Sequence, residues 1–421
     1  MPERSRPLQL SWLPMTAWIA ARVADPLAPA IIALGLSQIV GWGTTVYALG
    51  VLGNPIVAEM GWRLGVVYGG LTVALLASGA VSLPIGRWID RQGGRAVMGT
   101  GSIIAACGLA ALSQASTLAG YFAAWAIIGV AMRMVLYDAA FAAVVQLSPA
   151  RGRRAISFLT LFGGLASSVM WPVGAALEQT HGWRVTLLVY AALNLAVCLP
   201  LHWYALRRPS DTLSAEPVTT GGAIDTPAIL TGSGRRLGMA MFAATMAMGT
   251  LVGGAIAPQM VAILGTTGLA SGVVVALASG QGVTQTFARS IDLVFGRRMH
   301  ALTLGRITNA LMLVAILILA IGRHGTTVAV LFVVLFGAAN GLATIVRGAV
   351  PLALFGAAGY GEVMGRLAAP ILVVNAFALP LYATMAEFAG TTAALYGLAA
   401  LAFLASVTME ALAFWYRRKQ T

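Results

Sequence analysis

Twelve apolar runs, most long enough for one membrane crossing, constrain this chain more than any other feature. They lie at roughly 29–52, 64–86, 96–115, 118–147, 155–177 and 184–206, then at roughly 237–262, 268–288, 301–322, 326–355, 366–386 and 389–415. A helix needs about 20 apolar residues to traverse a hydrocarbon core of ~30 Å. Twelve such helices with short loops consume nearly all of the 421 residues. Composition agrees: only 9% of residues are charged, against about 25% in soluble domains, and the mean hydropathy is +0.86. A soluble domain and a disordered chain are both excluded. The sequence predicts an all-α, polytopic membrane protein.

The net charge of +13 raises the question of nucleic acid, and distribution answers it. Basic residues cluster between apolar runs rather than on one face, the pattern of the positive-inside rule. Of the 26 basic residues, 21 fall at the termini or in the loops that follow even-numbered runs. Three, Arg63, Arg184 and Arg323, fall in the opposite loops, while Arg133 and Arg347 lie inside runs. Both termini are therefore expected in the cytoplasm. Residues 1–28, with Trp12, Pro14 and Trp18, read as a cytoplasmic or interfacial segment. Residues 29–206 and 237–421 read as two six-helix bundles. The Ser-, Thr-, Gly- and Pro-rich stretch 207–236 reads as the linker between them. Cys107 and Cys198 both sit in apolar runs and the four histidines are scattered. No disulfide framework, metal site or cofactor is expected.

The two halves repeat. The loop after run 2 reads Gly86-Arg-Trp-Ile-Asp90-Arg91-Gln-Gly-Gly94-Arg95; the loop after run 8 reads Ala288-Arg-Ser-Ile-Asp292-Leu-Val-Phe-Gly296-Arg297. Aligned without gaps they share Arg, Ile, Asp, Gly and Arg, at an offset near half the chain. The first loop resembles the loop 2–3 signature of the major facilitator superfamily. That resemblance implies two pseudo-symmetric six-helix bundles. It also implies a conformational latch for the outward-facing state at Gly86, Asp90, Arg91, Gly94 and Arg95, with Asp292 and Arg297 as its degraded copy. Locally, Asp90 is suited to cap a neighbouring helix N-terminus or pair with an arginine. Run 1 and its exit, Gly43-Thr-Thr-Val-Tyr47 through Glu59-Met-Gly61-Trp62, are similar to bacterial monocarboxylate-porter-like members. Run 8 departs from them, carrying Gln281 and Gln285 where that subgroup has an Asp–Arg pair. The resemblance implies a bacterial inner-membrane protein.

Ionisable residues deep in a membrane run are expensive and mark partners or wet cavities. Run 4 carries Arg133, Tyr137 and Asp138; run 10 carries Asn340 and Arg347. By the resemblance, runs 1, 4, 7 and 10 line a central cavity. Arg133 and Asp138, five apart on an unbroken helix, are poorly placed to pair, whereas Arg133 and Tyr137 share a face. Asp138 and Arg347 stand at comparable depths, so a salt bridge between halves is expected, with Asp138 as candidate proton carrier. Gln38 and Trp42 share a face of run 1 and, with Tyr47, are candidate ligand contacts. Thr245, Thr250 and Gln259 offer uncharged contacts on run 7. His202, beside Trp203 and Tyr204, reads as a membrane-interface residue.

The expected function is secondary active transport of a small organic solute by alternating access, coupled to protons and directed outward. The alternative is proton-coupled uptake of an organic anion or vitamin-like solute; a channel or non-transporting sensor is the reading from another class. An enzyme is not expected, because no nucleophile–base pair or metal cluster stands out. Nor does a phosphate-binding Gly-rich loop ending in Lys-Ser or Lys-Thr occur. The expected partners are the small-molecule substrate, protons and lipid, with the protein a monomer and no nucleic acid bound.

Overall fold

The computed structural model describes residues 27–207, 230–296, 299–322 and 325–419. The expected N-terminal segment 1–28 lies almost wholly outside the described residues, as does most of the linker. All regular structure among the described residues is helical. In the first half, α1 is Ala28–Thr44, α2 Ala48–Met60, α3 Leu64–Ala80, α4 Ser82–Gln92 and α5 Gly94–Ser113. Then come α6 Leu118–Val135, α7 Tyr137–Leu147, α8 Gly152–Gly164, α9 Ala166–Leu193 and α10 Leu199–Ala205. In the second half, α11 is Gly232–Ile256, α12 Met260–Gly265 and α13 Ser271–Phe295. It closes with α14 Ala301–Gly322, α15 Thr326–Phe355 and α16 Tyr360–Arg418. Helix α11 thus starts inside the stretch expected as linker.

Eight helical segments are long and apolar enough to cross a membrane, or nine if the α3–α4 pair, bent by 53°, counts as one crossing. Two of the eight are far too long for a single passage. The 59 residues of α16 would extend about 90 Å if straight, three times the hydrocarbon core. Both long segments reverse at a glycine in the left-handed region, Gly182 at φ 75° and Gly390 at φ 83°, which residues with a Cβ rarely adopt. The reversal is visible in packing: Gly174 lies against the Tyr190 hydroxyl, and Gly397 against Met385.

Four helical paths of the first half, α1–α2, α3–α4, α6–α7 and α8–α9, are broken mid-course, and each break must satisfy the backbone groups it frees. The break between α6 and α7 falls at Leu136, which is extended at φ −82°, ψ −169°. No glycine or proline lies between Val130 and Leu147. The Val135 carbonyl, released from its helical bond, instead accepts from Gln38 Nε2 at 2.8 Å. A side chain 97 positions away therefore supports the break.

The first half packs around one apolar core, in which Tyr360 and Met364 of α16 also take part. The second half has two cores. One, with Phe242, Val346, Leu354 and Leu412, sits at the end that meets the first half. The other, with Ile256, Phe332, Phe336 and Leu398, sits at the far end and contains no residue of the first half. The halves close on each other at the α4–α5 end of the molecule. Large apolar side chains such as Trp203, Phe287, Phe295, Phe388 and Phe414 are exposed, as suits a surface solvated by hydrocarbon.

Candidate functional site

At the centre of the closed end, Arg347 of α15 grips Asp138 of α7 with two hydrogen bonds. Nε donates to Oδ1 at 2.9 Å and Nη2 to Oδ2 at 2.7 Å. The Asp138 side chain is 11% exposed and that of Arg347 24%. A two-pronged guanidinium–carboxylate contact is the strongest ion-pair geometry proteins use, and this one ties the two halves together. The break at Leu136 makes it possible by starting a fresh helix at Tyr137 with Asp138 in its first turn.

Above this pair the first half presents aromatic rings. Trp42 packs on Tyr137 at 5.0 Å between centroids and on Tyr47 at 6.1 Å; Tyr47 meets Trp171 edge-on at 6.1 Å. Tyr137 stacks on Phe141 and donates its hydroxyl to the Thr160 carbonyl at 3.2 Å. Gln38 is fully buried and accepts from Trp42 Nε1 at 3.2 Å. The expected Gln38–Trp42 pairing is present, but Gln38 is occupied in holding the Leu136 break. Opposite the rings, Asn340 of α15 is half-buried with its Oδ1 near Gly253 of α11.

Arg289 is the residue that sequence reasoning missed. The apolar run ends at Ala288, which placed Arg289 in a loop; the helix continues to Phe295 and the arginine is buried. It donates to the Gly341 carbonyl at 3.2 Å, the Thr344 hydroxyl at 3.2 Å and, across the halves, the Thr160 carbonyl at 2.9 Å. Its charge also reaches the hydroxyls of Tyr47 and Tyr137. The signal was available only as a repeat: Arg289 is the counterpart of Arg87.

Among the signature residues, Asp90 makes the contact its chemistry allows. Its two carboxylate oxygens accept the backbone N–H groups of Gly361 at 2.9 Å and Glu362 at 2.7 Å, capping α16 from the opposite half. Gly86 permits this approach, since a Cβ there would strike the Gly361 carbonyl. Arg87 adds an ion pair to Glu362 at 3.2 Å, and Arg366 a second at 2.6 Å. Gly94 packs on Ala143 within its own half, Arg95 lies 4.7 Å over the Trp203 ring, and Arg91 is exposed. In the second copy, Asp292 accepts from Ser157 Oγ at 2.9 Å and stands 3.6 Å from Arg153. Arg297 lies outside the described residues.

Two expectations give way. Arg133 and Tyr137 do not share an environment, because the break at Leu136 separates them. Arg133 turns to Ser82 of α4, Nε to Oγ at 3.1 Å, while Tyr137 turns to α8. His202 is not at the interface but buried, its ring bridging Ser102 and Ser37 at 2.9 Å each. Its neighbours Trp203 and Tyr204 carry the exposure that misled the reading.

Residues 13–237, more than half of the chain, match the model of the family described as Major Facilitator Superfamily. No curated protein matches the chain. Among solved structures, the human organic anion transporter MFSD10 (TETRAN) is 15% identical at TM-score 0.73, over 91% of this chain and 100% of that one. The proton:xylose symporter XylE, bound to 6-bromo-6-deoxy-D-glucose, is 14% identical at TM-score 0.69, over 91% and 95%. The transporter FucP, in the outward conformation, is 14% identical at TM-score 0.68, over 92% and 99%. At these identities the likeness is one of fold.

Proposed function

The chain belongs to the Major Facilitator Superfamily, and from that membership we propose that it moves a small organic solute by alternating access, driven by protons. Family and fold point to a transporter rather than an enzyme. The observation that carries the reading is the Asp138–Arg347 pair, because it is the kind of contact a rocking motion must break. We read the chain as twelve crossings: the eight apolar segments, one more in each hairpin at Gly182 and Gly390, the bent α3–α4 pair, and α13. By the positive-inside rule we read the closed end as cytoplasmic and the conformation as outward-facing, and we take the protein to be a monomer in a bacterial inner membrane.

In this reading Asp138 is the proton site. Protonating its carboxyl removes the charge that holds Arg347 and loosens the tie between halves. The freed guanidinium is then a cationic contact for an anionic or strongly hydrogen-bond-accepting solute. Trp42, Tyr47, Tyr137 and Trp171 supply the apolar wall for the rest of that solute. Arg289, tied to Thr160 only while the end is closed, becomes a second cationic contact when the halves part.

Purified protein in liposomes with an imposed pH gradient tests the proposal. Accumulation of a labelled organic anion that collapses with a protonophore supports it, and the productive sign of the gradient gives outward or inward direction. Passive, gradient-independent flux saturating at no concentration would instead favour a channel.

A further inference from the structure

Arg133 is buried with most of its guanidinium unpartnered. It is 2% exposed, its Nε is held by Ser82, and both Nη1 and Nη2 lack a protein partner. A buried guanidinium with both Nη groups unpartnered is destabilising. The charged groups that act on it are Asp138 and Arg347. Ser82 and Asp138 both belong to the first half and move with Arg133, whereas Arg347 leaves with the second half.

We propose that Arg133 and Arg347 share one carboxylate: Asp138 pairs with Arg347 while this end is closed and passes to Arg133 when it opens. The inference rests on the alternating-access reading. The proton that releases Arg347 leaves once the end is open, favoured by the Arg133 charge, so in each state the carboxylate has one arginine and is not left buried and unpaired. The idle arginine differs: Arg133 here, shut away from any cavity, and Arg347 in the other state, facing the space between the halves. The break at Leu136 is what permits the exchange. On an unbroken helix residues five apart diverge by about 140°, but a loosened peptide between α6 and α7 lets the first turn of α7 swing toward α6. Arg133 is thus a positioning residue that stabilises the open form of this end and makes no ion pair in the closed one.

The test reads the conformational equilibrium directly. Ile156, buried against Gly348 of the opposite half, is replaced by cysteine in a Cys107→Ser, Cys198→Ala background, and alkylation at position 156 is timed in proteoliposomes without substrate. Arg133→Met is expected to slow alkylation at least about tenfold, since the open state loses its ion pair. Arg347→Met is expected to hasten it, and Ser82→Ala to leave it near the parental rate. Unchanged or faster alkylation in Arg133→Met overturns the proposal, as does equal slowing by Ser82→Ala. Should Arg133→Met fail to insert, Arg133→Lys, which keeps charge but not the fork, is expected to slow alkylation about threefold, and an unchanged rate sinks the idea. If position 156 never reacts even in the parent, the alternating-access reading itself falls.

Discussion

Asp90 and Asp292 occupy matching positions of the repeat and grip opposite halves by different chemistry. Asp90 takes two backbone N–H groups at the start of α16. Asp292 takes a hydroxyl from Ser157 and faces Arg153, both within α8. A carboxylate on a helix N-terminus is favoured by the helix dipole as well as by hydrogen bonding. The side-chain grip of Asp292 depends instead on one arginine and one hydroxyl. The first contact needs only a backbone and a glycine to admit it; the second needs particular side chains.

Asp90→Asn should therefore insert and fold normally but weaken the closed end. Losing the charge on a two-bond cap costs about 1–2 kcal/mol, or roughly a 5- to 30-fold change in the balance of states. Slower turnover with unchanged membrane yield is the expected result. Parental turnover would leave Asp90 only a topological role.

Gly86→Val tests the close approach itself. Its side chain would meet the Gly361 backbone, and overpacking of this kind costs about 1–3 kcal/mol. The closed end should open, seen as faster alkylation at a buried position such as 156, while Gly65→Ala on α3, with a helical backbone and open space around it, should leave the balance of states nearly unchanged.

The sequence carried the all-helical membrane fold because hydrocarbon demands long apolar runs. It also carried the Asp138–Arg347 pair, since two opposite charges at similar depth in a medium hostile to both have few other choices. It could not show the break at Leu136. Nothing local causes that break; it depends on Gln38 reaching Val135 from another helix. The shared Arg133–Tyr137 face, which assumed a continuous helix there, failed for that reason. Arg289 was missed by a related route: hydropathy ends a span at the first arginine, whereas packing against α15 and α8 carries the helix beyond it.

His300, outside the spans, supplies a pH test. Its Nδ1 accepts the Leu302 N–H at 3.2 Å, which requires a neutral ring nitrogen. Burial, then the charges of Arg153 and Arg417, push its pKa below the ordinary 6.5. A histidine with a depressed pKa binds fewer protons folded than unfolded, so its contribution is complete above pH 6.5 and declines as pH falls toward the lowered value. Thermal unfolding in detergent should show a midpoint that drops on acidification through this window. His300→Gln should flatten that drop; an unchanged pH profile would assign the acid sensitivity elsewhere.

The coupling role of Asp138 is tested by separating its charge from its shape. Asp138→Asn mimics the protonated carboxyl and leaves Arg347 without its anion. Removing one partner of a buried pair costs about 3–5 kcal/mol, so the closed end loses its central tie even though the side chain still fits. Gradient-driven movement of solute should be abolished, because no proton can be carried. Exchange of labelled for unlabelled solute, which needs no net proton transfer, should persist at a substantial fraction of the parental rate. Arg347→Ala should differ in kind: it removes a cation the solute needs, so binding of an anionic solute should weaken about tenfold or more. Its neutral analogues should be affected far less. Proton-driven accumulation by Asp138→Asn at the parental rate would move the proton to another residue and leave Asp138 as a tie between the halves.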